Sequence, residues 1–61
     1  MEAERLFTPQ QVAERLQVQV QTVVRWLRSG QLKGTKFGRL WRVTEQDLHT
    51  FIQEHRPHAP W

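Results

Sequence analysis

A chain of 61 residues has room for one small domain, and without cysteine that domain holds together with neither a disulfide nor a thiolate metal site. At this length folding buries only about 60% of the surface that the unfolded chain exposes, so three tryptophans and three phenylalanines must carry much of the core. No apolar run exceeds two residues, which excludes a membrane-spanning helix, and Glu2 and Glu4 in place of a basic start argue against a secretion leader. A soluble domain of the cytoplasm is the expectation.

The net charge of +3 hides an asymmetry. Residues 1–24 carry −1 and residues 43–61 carry −2, whereas residues 25–42 hold Arg25, Arg28, Lys33, Lys36, Arg39 and Arg42 with no acid, for +6. Mixed signs are the usual surface solution. An acid-free basic stretch therefore points to a polyanionic partner, of which nucleic acid is the commonest. An acidic membrane fits less well, because no segment pairs a basic face with a broad apolar one.

In chain order, Thr8-Pro9-Gln10-Gln11 opens the first predicted helix. Thr8 suits the cap, Pro9 the first helical position, and Gln11 completes a capping box, with Phe7 placed to staple onto Val12. Val12, Ala13 and Leu16 share one face, and the pattern ends at Leu16. The second helix runs from about Val20 to Ser29, with Val23, Trp26 and Leu27 inward and Gly30 ending it. Arg25 and Arg28 in its last turns complement the helix dipole. Only Gln17 to Gln19 separate the two helices, which predicts a tight corner rather than a long antiparallel hairpin.

From Leu32 to Val43 the period becomes two. Thr35-Lys36-Phe37 and Leu40 to Val43 read as strands joined by the two-residue turn Gly38-Arg39, glycine first as a type II′ turn prefers. Phe37, Trp41 and Val43 are assigned to the apolar side, and Lys36 and Arg42 to the polar side. Such a hairpin is not stable alone, so its apolar face must lie on the helices. Thr44 caps a third helix with Glu45 and Asp47 in its first turn and Leu48, Phe51 and Ile52 as its buried stripe. That helix should fray near His55, ahead of Pro57. Residues 1–55 are thus read as the domain, and 56–61 as an irregular tail or the start of a linker.

Two helices that cross at a tight corner need a small residue at the contact. With Ala13 in that place, Val12 and Leu16 are the flanking apolar groups, and Val18, Val23 and Trp26 continue the pattern through the turn and second helix. A generic two-helix corner is the plainer alternative. The order helix, turn, helix, hairpin, helix is more specific, and with it the chain resembles the excisionase-type, MerR-like winged helix-turn-helix domains. The likeness spans about Leu6 to Ile52. It rests on Leu6-Phe7-Thr8-Pro9 before Val12-Ala13, and on Thr22-Val23-x-Arg25-Trp26-Leu27-Arg28-Ser29-Gly30-x-Leu32. Phe37-Gly38-Arg39-x-Trp41-Arg42-Val43 and Asp47-Leu48-x-x-Phe51-Ile52 extend it. The chain departs from the family pattern at Gln17, where glycine is usual, at Gln19, where a serine-like cap is usual, and at Val20, which is often basic.

The resemblance implies a mainly α fold with a small β-hairpin, and a second helix that enters the DNA major groove. Its outward residues are then Gln19, Val20, Gln21, Val24, Arg25 and Arg28. Glutamine suits an adenine edge, arginine suits guanine, and valine suits the thymine methyl. Arg28 is better placed for phosphate. For Val20 and Val24 packing against the first helix or the hairpin stays an open alternative. The hairpin becomes a wing whose Lys36, Arg39 and Arg42, with Lys33 flanking, meet phosphate or the minor groove. Trp26 and Trp41 are assigned to the core.

Catalysis has little to work with. Ser29 is the only serine and Asp47 the only aspartate. Ser29 stands beside a helix-ending glycine, and no glycine-rich phosphate loop is present. His49, His55 and His58 are the one conceivable metal set, with two of them in the tail. No enzyme activity, cofactor, metal or small-molecule substrate is expected. The implied role is an excisionase-like recombination directionality factor or a small transcription regulator, with a second copy or a recombinase as further partner. Two other readings keep the fold: the N-terminal module of a larger recombinase, and a protein-interaction adaptor.

Overall fold

A computed structural model describes residues 5–55. The elements follow as β1 (Leu6–Phe7), α1 (Pro9–Leu16), α2 (Val20–Ser29), β2 (Thr35–Phe37), β3 (Leu40–Thr44) and α3 (Glu45–Glu54). Thr8 accepts from the Gln11 N–H at 3.0 Å while its own N–H donates to Gln11 Oε1 at 2.9 Å, the capping box expected at α1. Thr44 likewise accepts from the Asp47 N–H at 3.0 Å and starts α3. That helix ends at Glu54, with His55 as its cap. The expected tail at 56–61, including His58, lies outside the described residues, as do residues 1–4 of the expected domain.

At the corner between α1 and α2, Gln17 takes left-handed geometry with φ 59° and ψ 47°. Its N–H returns to the last turn of α1, and the Val18 N–H reaches Ala13 O at 3.0 Å. Val12, Ala13 and Val23 are buried where the two helices meet. At the far end of α2, Gly30 caps the helix and the Leu32 N–H donates to Trp26 O at 3.2 Å, which folds Leu32 into the core. Leu27, Val43, Leu48, Phe7 and Phe51 complete that core. Trp26 is half-buried against it, its ring centroid 4.9 Å from that of Phe51.

The hairpin joins a three-stranded antiparallel sheet in the order β1-β3-β2. β1 was not expected: Leu6 pairs with Thr44 and Phe7 with Val43, so Phe7 is buried as a strand residue. Gly38 at φ 64° is the one turn residue with positive φ, as a type II′ turn requires. The expected division of faces is corrected. A two-residue turn sets Phe37 opposite Leu40, Lys36 opposite Trp41 and Thr35 opposite Arg42. Cross-strand partners share a face and neighbours along a strand do not. Lys36 therefore lies on the inner face with Trp41 and Val43, while Phe37 lies on the outer face with Leu40 and Arg42. Phe37 is 53% exposed and Leu40 56%, so Phe37 is not a core residue. Trp41 is half-buried, packed against the core rather than within it.

Candidate nucleic-acid interface

Capping at Gly30 and the close approach of Gly34 to Leu27 bring the hairpin back beside α2. Two open grooves result. The first, of about 530 Å³, runs along α2 and is lined by Val20, Gln21, Val24, Arg25, Arg28 and Ser29. The second, of about 470 Å³, lies between the helices and the wing. Pro9 and Gln10 supply its α1 side, Val24 and Arg28 its α2 side, and Lys36, Arg39, Leu40, Trp41 and Arg42 its wing side. Val24 and Arg28 belong to both grooves, so the two form one continuous face. It gathers Arg25, Arg28, Lys36, Arg39 and Arg42, and no acidic side chain among the described residues lines it.

Local contacts set the cations on this face. Lys36 Nζ stands 5.5 Å from the Trp41 ring centroid, within the range of a cation–π attraction that holds the ammonium over the inner face of the wing. Arg42 Nη1 donates to Trp41 O at 2.7 Å, which fixes the guanidinium near the strand and leaves its other donors for a ligand. Arg39 sits exposed at the tip, between the two. Lys36 and Arg42 thus occupy opposite faces of the ribbon, yet both line the groove. The Ser29 hydroxyl serves the end of α2, donating to Trp26 O at 3.2 Å and accepting from the Gln31 N–H at 3.4 Å.

Of the residues named from sequence, Val20, Gln21, Val24, Arg25 and Arg28 come together on α2, and Lys36, Arg39 and Arg42 join them from the wing. Gln19 stands at the start of α2 as its N-cap, exposed, with no side-chain capping bond. Lys33 is elsewhere. It lines a separate groove whose lining also includes Asp47 and Glu54 of α3. Pro9, Gln10, Leu40 and Trp41 were not foreseen on the interface. The parity of the Gly38-Arg39 turn was a usable signal for Leu40. No local pattern ties the start of α1 to the wing. Among the described residues no group of His, Cys, Asp or Glu is placed to hold a metal ion.

A helix-turn-helix corner followed by a wing, with cations from both converging on one face, has the makings of a winged helix-turn-helix DNA-binding domain. A family model described as "Helix-turn-helix domain" matches residues 6–56, most of the chain, and the protein belongs to that excisionase-type helix-turn-helix family. No curated protein matches the chain.

Proposed function

We propose that this protein binds double-stranded DNA, with α2 in the major groove and the wing alongside on the phosphates, and leaves the DNA chemically unchanged. The observation that carries the reading is the continuous face on which Arg25 and Arg28 of α2 meet Lys36, Arg39 and Arg42 of the wing. A helix of ten residues is thin enough for the major groove, about 12 Å wide, and cations to either side of it match the phosphate ridges that border that groove. One such module buries only about 600–1,000 Å², too little for strong specificity. The protein therefore works on repeated sites with a second copy, or beside a recombinase, as an excisionase-like directionality factor or a small transcription regulator in the cytoplasm.

The test is binding-site selection from random duplexes followed by measurement on the selected site. Arg25 is exposed in the middle of the α2 face. Arg25→Ala should cost about 1–3 kcal/mol on that site and relax the preference at one base pair. Equal weakening on every duplex would make Arg25 a phosphate contact instead. A protein that ignores duplex DNA but is retained by an acidic polypeptide would be an adaptor, and the DNA reading would be lost.

A further inference from the structure

The outward face of α2 is not uniformly polar. Val20 is 37% exposed, Val24 one turn later is half-buried, and both line the α2 groove between Gln21, Arg25 and Arg28. The buried stripe of this helix is already formed by Val23 and Leu27, and Val20 and Val24 stand outside it. β-branched side chains are not placed there by helix preference, because their χ1 freedom is lost against the preceding turn. An apolar pair set among arginines calls for a ligand that is polyanionic and also offers small apolar groups. Duplex RNA meets only the first requirement, since its deep, narrow major groove cannot be read by side chains. The major groove of DNA meets both, and the apolar group it presents is the C5 methyl of thymine.

We infer that Val20 and Val24 read thymine C5 methyls and make this pair of side chains a specificity determinant, an inference that rests on the DNA-binding reading above. Four residues of α-helix advance about 6 Å, and base pairs are stacked about 3.4 Å apart. The two methyls therefore belong to base pairs one or two steps apart. A 5-methylcytosine carries its methyl at the equivalent ring position, so it should substitute for thymine in the apolar contact.

The experiment uses the full chain and duplexes selected from a random pool, remade with deoxyuridine in place of thymidine at one position at a time, which deletes a single methyl. Two positions, one or two base pairs apart, should each lose about fourfold in affinity, the worth of one buried methyl group, and the remaining thymines should lose little. Val24→Ala should bind the thymidine and deoxyuridine duplexes alike at one of the two positions, with the salt dependence unchanged. Alanine favours the helix, and a circular dichroism spectrum matching wild type verifies the fold of the variant. Salt-dependent duplex binding with no methyl-sensitive position would overturn this inference and leave the DNA reading standing. Absence of duplex binding would overturn both.

Discussion

Gln17 is the only non-glycine residue with positive φ among the described residues, at 59°. An L-residue in this region brings Cβ too close to the following carbonyl, at a cost of about 1–2 kcal/mol, and the corner between α1 and α2 cannot close without it. Its N–H returns to the carbonyls of Ala13 and Glu14, so the strain is offset locally by capping. Gln17→Gly removes the clash but loosens the unfolded chain, and should stabilise the domain by about 1 kcal/mol net. A thermal melt should then rise by about 4–8 °C. An unchanged melting temperature would mean that the left-handed position is not strained in this corner. The position was visible beforehand, since glycine is usual there in the family the chain resembles.

At the scale of elements, the three helices were legible because each is announced locally: Thr8 and Thr44 cap, Gly30 stops, and the apolar spacing fills the turns between. The hairpin was legible in extent but not in facing. Alternation within one strand does not say which residues of the other strand share its face. The turn does, and Gly38-Arg39 sets Phe37 against Leu40. β1 carried no signal, because a two-residue strand has no period and its pairing with Val43 and Thr44 is remote in sequence. The seating of the wing on α2 was equally hidden. It depends on Gly34, where an added Cβ would come 2.5 Å from Leu27 Cδ2 and 3.2 Å from Arg42 O. Leu27 is buried and has little room to yield. Gly34→Ala should cost about 1–3 kcal/mol by overpacking and lower the melting temperature. A melt superimposable on wild type would show that the wing does not press on α2 here.

For the whole molecule, the charge asymmetry was readable from composition, but the weight given to the aromatics is corrected. Among the described residues only Phe7 and Phe51 are buried aromatics, Trp26 and Trp41 are half-buried and Phe37 is exposed, and valine, leucine and alanine fill the rest of the core. Which cations converge was only partly readable. Five of the six in the acid-free stretch meet on one face, while Lys33, adjacent to Leu32 as the chain leaves α2, lines a separate groove together with Asp47 and Glu54. Sequence proximity placed it with the others, and the three-dimensional path of the loop separates it. The central claim is that the wing and α2 act as one DNA-binding face. The most direct test is the salt dependence of duplex affinity for wild type and for the triple variant Lys36→Gln, Arg39→Gln, Arg42→Gln on one site. Each phosphate neutralised releases condensed counterions, worth about 0.9 in the slope of log affinity against log salt. The triple variant should keep its fold, bind every duplex more weakly, and show a slope flatter by about two to three units. Parallel lines for the two proteins would mean that the wing does not touch DNA, and would contradict the account.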